Sequence, residues 1–398
     1  MHYVRFLRQP SITGGGKHQE LSLVFVVTSD LGDALLSVRE PLTLHVALFK
    51  EGDVEARRAG FAQNLSWKPG ARVVKEKITV PAAHWRQVLV TAIGVTPAGA
   101  LPARQFGALA TISPKSGVSL RNPLIVPAWF DFKTGSRPAG STDVCLRKLG
   151  LSGPVAVEFE EEFGDSIARH VWDGGLAAVS FLTQLHDGKE EAVQMMPTVN
   201  SILRADGGQP LNILELGCGV GVLGIGWAGI LSLTTSADIL QRYHILMTDV
   251  PDAEERALAN IRLFQDSQEK ANRPIPQMQY ENLDWGDGRQ GKFSPSVMSK
   301  AWNLVILSDC TYNTDTIPAL VETLSQLHSV AKTSGSQDGT GSLKVFLATK
   351  PRHSSEQVVF DALSSHGWNV AEKAVVELHG LPEESDDVEF YLFSKNDN

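Results

Sequence analysis

The sequence predicts an α/β chain, a mostly parallel doubly wound sheet preceded by a β-rich module. Three observations carry this. From about residue 160, short β-branched strands alternate with helical apolar spacing, the pattern of a parallel sheet covered on both faces. Residues 1–132 instead hold β-branched segments punctuated by Gly, Pro, Asp and Asn. Finally, 369–378 and 388–395 close the chain as strands with no helix between them, so an antiparallel pair is expected at one edge.

The elements follow in order. In the first region LSLVFVV (21–27), LTLHVALF (42–49), VVKEKITV (73–80), VLVTAIGV (88–95) and FGALATI (106–112) read as strands of a small sandwich or barrel. TGSRPAGSTD (134–143) has linker composition. The expected division is a β-rich domain over 1–133, a linker over 134–152 and an α/β domain over 153–398. In the last, ARHVWDGGLAAVSFLTQL (168–185) has helical spacing. Strands are expected at 212–217, 244–250, 278–286, 303–309 and 344–351, with helices at 222–233, 252–266, 316–331 and 355–367 between them. HDGKEEAV (186–193) and AKTSGSQDGTGS (331–342) read as insertions.

Composition bounds the function. The chain has 398 residues, 42% hydrophobic and 20% charged, enough for two domains. No apolar run reaches the ~18 residues that span a bilayer, and no signal-peptide core is visible, so no membrane role is expected. Three scattered cysteines, Cys145, Cys218 and Cys310, suit a reducing compartment rather than a disulfide framework. A cytoplasmic protein is expected, with the nucleus also open. The histidines show no H-E-x-x-H and the cysteines no pairing, so no metal is expected. Residues 1–150 hold 19 Lys and Arg against 10 Asp and Glu, whereas residues 151–398 hold 17 against 35. Either the halves meet different partners, or they attract each other.

ILELGCGVG (213–221) places Gly217, Gly219 and Gly221 at a strand-to-helix turn, where the backbone must bend sharply and a ligand can approach closely. The next strand ends in Asp249, placed to accept hydrogen bonds from ribose hydroxyls at the switch point of the sheet. Gly219, Gly221 and Gly224 also satisfy the dinucleotide pattern, but no Lys-Ser/Thr follows, which excludes a P-loop. Glu215, an anion just before the loop, favours a cationic sulfonium nucleoside over a pyrophosphate.

These residues, with HVWDGGLAAVSFL, MTDVPDAEERALANI, ENLDWGD, NLVILSDCTYN, VFLATKPRH and VEFYLF, give the chain its resemblance to a known family. Residues 165–395 resemble the seven-strand S-adenosylmethionine-dependent methyltransferases, in particular the protein lysine methyltransferases with an Asp-x-x-Tyr motif. The resemblance implies a Rossmann-like seven-stranded sheet and S-adenosylmethionine as cofactor. It implies that Gly217, Gly219 and Gly221 line the methionine part and that Asp249 holds the ribose. Asp284 and Trp285 would border the adenine, and Trp172 would flank the cofactor, with Ser308 also at its edge. Plain packing is the competing reading for both tryptophans. The connection SLTTSADILQRY is longer than the family's usual turn and is expected to bulge away from the site.

VILSDCTY (305–312) puts Asp309 at the carboxyl end of a buried strand and Tyr312 on the following loop. The resemblance implies that this pair receives the target lysine. The chemistry agrees: a free lysine has a pKa of ~10.4, so a carboxylate captures the ammonium and an aromatic wall desolvates it toward the neutral nucleophile. Helix capping by Asp309 and a rim position for Tyr312 are the alternatives, and Cys310 reads as a small apolar filler.

The expected function is therefore a protein-lysine N-methyltransferase acting on a translation factor, ribosomal protein or chaperone. The alternatives are a methyltransferase for a small molecule or another protein side chain, a dinucleotide-binding oxidoreductase, and an inactive adaptor. A monomer is expected, meeting nucleic acid only through a ribonucleoprotein substrate. The basic N-terminal domain is a candidate docking module, through Arg57, Arg58, Arg72, Lys75 and Lys77. The acidic run EFEEEFGD (158–165) reads as a solvated face, or as an attractor of basic substrate.

Overall fold

The computed structural model describes residues 1–51, 59–93, 110–112, 125–132, 144–152, 155–163, 166–204, 210–234, 236–333, 343–378 and 387–395. The N-terminal region is a sandwich of two sheets. One contains Ser11–Thr13, His18–Thr28, His2–Phe6 and Ile125–Val126 in that order, with Val74–Pro81 also pairing to His18–Thr28. The other runs Ala156–Glu162, Val144–Gly150, Ala128–Asp131, Trp85–Ile93, Leu42–Lys50, Phe61–Trp67. Alternation along the strands builds the core between them: Leu21, Leu23, Phe25 and Val27 from one sheet meet Leu44, Val46, Leu48, Val88 and Val90 from the other.

The third sheet has the order Gln277–Asn282, His244–Asp249, Asn212–Leu216, Leu304–Ser308, Lys344–Thr349, Asp387–Lys395, Trp368–Leu378, Ala110–Ile112. The first five strands are parallel, and Asp387–Lys395 is antiparallel to both its neighbours, as the closing pair predicts. Among the described residues, seven strands of this sheet come from 212–395, and an eighth is donated by the N-terminal region, pairing Ile112 with Val376. The switch point lies where the chain order reverses, between Asn212–Leu216 and Leu304–Ser308. Both faces are apolar. Leu214, Leu216, Val305 and Leu307 pack on one side with Leu320 and Leu324 of the helix Ile317–Thr333. Ile213, Ile245, Met247 and Ile306 pack on the other with the helices Asp173–His186 and Val222–Thr234.

Residues 134–143 lie outside the described residues, but Val144–Gly150, expected as the end of a linker, is a buried strand. It forms a hairpin with Ala156–Glu162, closed by Leu151 N donating to Val155 O at 2.7 Å. Both strands belong to the N-terminal sheet, so the expected linker ends in ordered strand and that sheet extends to residue 162. The reason is a buried ion pair that local composition hides: Arg147, fully buried, donates through Nε to Glu161 at 2.8 Å. Of the acidic run, Glu160, Glu161 and Glu162 hold ion pairs rather than forming a solvated face, and residues 164–165 lie outside the described residues. Glu160 and Glu162 pair with Arg256 of the helix Pro251–Lys270, and Glu162 also pairs with Arg169 at 2.9 Å. Tyr3, Val126, Leu149 and Phe159 join the core of the α/β domain, so the two regions share apolar packing.

The helix expected over 168–185 begins at Asp173, after a single turn at Ile167–Arg169. Residues 186–193 hold the start of the helix Glu190–Met195, while 334–342 lie outside the described residues. Among the described residues no helix is long and apolar enough to cross a membrane.

Candidate active site

The carboxyl ends of the parallel strands open into a cavity of about 640 Å³. Gly217, Gly219 and Gly221 all have positive φ, of 67°, 53° and 90°. A Cβ at Gly217 would come 2.6 Å from Cys310 Sγ, and one at Gly221 would come 2.4 Å from Met247 Cε. The turn and the packing both require glycine there. Of the three, Gly217 and Gly219 line the cavity, whereas Gly221 turns toward the core beneath it.

Asp249 ends its strand at the cavity wall. Its Oδ2 accepts from Gly219 N and its Oδ1 from Val250 N, both at 2.7 Å, leaving lone pairs for a ligand. Burial pushes its carboxyl up, against the two backbone bonds that favour the charged form. Asp284 caps the short helix Trp285–Gly288 by accepting from Gly286 N at 2.7 Å. Trp285 lies against Gly217, and Leu283, Asp284, Trp285 and Ser308 all line the cavity. A strand-end carboxylate, a glycine cradle and an apolar-aromatic edge together fit a nucleoside.

Glu215 is a correction. It is buried, does not line the cavity, and accepts from Gly224 N at 3.1 Å at the start of the helix Val222–Thr234. Strand alternation decides this: Glu215 shares the face of Ile213, below the loop. Burial raises its carboxyl well above the ordinary range, more than the Gly224 bond lowers it. It is therefore no counter-anion for a sulfonium and instead holds the helix onto the strand. None of the described residues of the long connection 232–243 lines the cavity.

Asp309 sits 8% exposed at φ 51°, with its N–H donated to Ala348 O at 3.0 Å. The following helix starts only at Ile317, so Asp309 is not its cap. Its Oδ2 accepts from Gly174 N at 2.6 Å, at the first turn of the helix Asp173–His186. A Cβ at Gly174 would fall 2.5 Å from that oxygen, so glycine allows the approach. This first-turn amide, which has no partner within the helix, and the helix dipole both favour an anion there. Tyr312 is 55% exposed at the cavity rim. Cys310 is a buried thiol beneath Gly217, pushed up by burial, in keeping with a filler.

The structure adds a residue that sequence reasoning missed. Arg352 donates through Nη1 to Asp309 Oδ1 at 3.2 Å and through Nη2 to Asp30 Oδ2 at 2.5 Å. Its guanidinium also lies 5.8 Å from the ring of Trp172, within cation–π range. Burial pushes Asp309 up to about 6; Arg352 opposes the rise and Asp30 and Asp173 add to it. Behind it Asp173 accepts from Tyr3 Oη at 2.6 Å, from Lys350 Nζ at 2.8 Å and from the Met1 amine at 3.0 Å. The signal was the pair Lys350 and Arg352 just after a buried strand, at the same end of the sheet as Asp249 and Asp309.

A second cavity, of about 580 Å³, adjoins the first. Ile167, His170, Trp172, Asp309 and Tyr312 line both. The sheet order and the cradle define an α/β protein that binds a nucleoside at its switch point. Residues 153–366 match the family model described as lysine methyltransferase, and the chain belongs to that family. It is 22% identical over 373 residues to a UPF0665 family protein of Schizosaccharomyces pombe, spanning 92% of this chain and 93% of that one. Among solved structures it is similar to magnesium protoporphyrin IX methyltransferase of Synechocystis PCC 6803 with bound SAM, with 18% identity and TM-score 0.30, over 54% of this chain and 84% of that one. It is also similar to a SAM-dependent methyltransferase of Methanosarcina mazei, with 12% identity and TM-score 0.31, over 47% and 93%.

Proposed function

We propose that the protein is a protein-lysine N-methyltransferase using S-adenosylmethionine. Its acceptor is a lysine of a translation factor, ribosomal protein or chaperone, and it acts as a monomer in the cytoplasm or the nucleus. The observation that carries the reading is the placement of Asp309 and Tyr312 on the wall common to both cavities. S-adenosylmethionine supplies an electrophilic methyl group when bound. Gly217, Gly219, Asp249, Asp284, Trp285 and Ser308 would hold it.

The chain's own residues do the rest. Ionised Asp309 attracts the ammonium into a buried setting, where desolvation favours loss of its proton to water. The Tyr312 ring covers the aliphatic stem, and its phenol oxygen orients the amine. Alignment of nitrogen and methyl group is the main contribution, an orientation effect worth several kcal/mol. The direct test incubates the full chain with labelled S-adenosylmethionine and a cell lysate and finds the modified residue by mass spectrometry. Label on a lysine supports the reading, and label on histidine or only on small molecules overturns it.

Asp249→Ala is expected to weaken S-adenosylmethionine binding by about 1.5–3 kcal/mol, the range for hydrogen bonds to a charged group. Calorimetry giving unchanged affinity in the folded variant would remove Asp249 from the site.

A pH dependence follows from Asp309. Its carboxyl, pushed up to about 6, is protonated below that value and then cannot attract an ammonium. The acceptor kcat/KM therefore gains an extra acid limb centred near 6. Arg352 opposes the rise, so Arg352→Gln should move the limb to higher pH. The same limb position in both proteins, measured on one lysine substrate, would contradict Asp309 as the captor.

A further inference from the structure

We infer that the second cavity is the acceptor chamber, that the N-terminal module builds one of its walls, and that it takes a lysine set among apolar residues of a polypeptide. The inference rests on the lysine methyltransferase reading and narrows its substrate. Two independent features point there. The first is continuity with the reaction centre: the cavity shares Asp309, Tyr312 and Trp172 with the cofactor cavity and includes none of the cradle glycines. Its floor holds Asp30 and Asp309, bridged by Arg352. Arg352 already holds that pair, but Glu161 and Glu162 line the cavity as well, so its carboxylates outnumber Arg5 and Arg352 there, a balance that suits a cationic side chain.

The second feature is the rim. Among the described residues the four most exposed large hydrophobic side chains are Leu7 at 57%, Tyr312 at 55%, and Leu31 and Ile167 at 52% each. All four line this one cavity. Scattered exposed leucines need no explanation, but four gathered round one opening mark a contact surface. Leu31 is held out by an ordered turn. Gly32, at φ 77°, donates to Ser29 O at 3.1 Å, and Leu31 N donates to Asp30 Oδ1 at 3.0 Å. That turn sends Asp30 inward, 3% exposed, and Leu31 outward. One tight turn of the N-terminal module thus supplies a carboxylate to the floor and a leucine to the rim. Docking through this rim differs from the expected basic face. There Arg57 and Arg58 lie outside the described residues, and Lys77 pairs with Glu20 at 2.7 Å.

The test uses the full chain, labelled S-adenosylmethionine and synthetic peptides with one central lysine flanked by leucine and phenylalanine, by serine and glutamine, or by glutamate. Apolar flanks should raise kcat/KM about tenfold or more. The double variant Leu7→Ser, Leu31→Ser should raise KM for the apolar peptides about ten- to a hundredfold and flatten the preference, at unchanged cofactor affinity by calorimetry. Val370→Ser removes an equally exposed apolar side chain that lines neither cavity, and should change nothing. Lysine methylation with no flank preference, or a preference that survives in the double variant, overturns the inference alone. A dimer that the double variant turns into a monomer, with peptide turnover unaltered, assigns the rim to self-association and overturns it too. Label on a residue other than lysine instead overturns the underlying function, and the labelled residue tells the two failures apart.

Discussion

Asp309→Asn is expected to lower methyl transfer by about a thousandfold, the scale of losing one preorganised charge at a reacting centre, while cofactor affinity stays within a few-fold. Asparagine is the informative substitution. At φ 51° the backbone is left-handed, a region that asparagine tolerates and alanine resists. The amide oxygen still accepts from Gly174 N, so what is removed is the charge that faces the incoming ammonium, together with the bond from Arg352. Asp309→Ala would mix that loss with backbone strain. Tyr312→Phe should retain more activity than Tyr312→Ala, because the ring survives. Wild-type turnover by Asp309→Asn on a lysine substrate would end the capture mechanism.

Glu161→Ala should destabilise the fold by about 3–5 kcal/mol, the cost of stranding a buried charge. Arg147 would be left fully buried with its carboxylate gone, and Val171 N would lose its acceptor at 3.0 Å. Burial alone raises Glu161, but Arg147 outweighs it and, helped by His170 and Arg5, holds the carboxyl well below the ordinary range. A depressed folded-state pKa means stabilisation present above the ordinary glutamate range and lost as pH falls toward the folded value. Chemical denaturation near neutral pH should show the difference, and it should shrink on acidification. Lys77→Ala is the contrast: its pair with Glu20 is 73% and 44% exposed, and such pairs contribute about 0–1 kcal/mol. Similar losses in the two variants would refute the burial argument.

What the sequence revealed and what it hid divide along one physical line. Gly217, Gly219, Asp249 and the pair Asp309 and Tyr312 were legible because the ends of parallel strands fall together by topology. Periodicity locates the strand, and the strand locates the residue. Glu215 was misread because strand parity, which sets the face, was not applied to it. Arg352 stayed hidden because its meaning comes from Asp30, far away in the chain and in another sheet's turn. The strand Val144–Gly150 was mistaken for linker because its Arg and Lys look solvated until Glu161 and Glu158 are placed opposite them. Long-range charge pairing leaves no local pattern to read.

The donated edge strand Ala110–Ile112 has a consequence for biosynthesis. It is made long before its partner Trp368–Leu378. The early segment must wait, unpaired, until residues 368–378 emerge, and non-local pairing of this kind folds slowly. Completion of this sheet edge becomes a check that the chain has been made through residue 378. A nascent chain stalled before residue 368 would carry that strand without a partner, a handle for quality-control factors that recognise open β-edges.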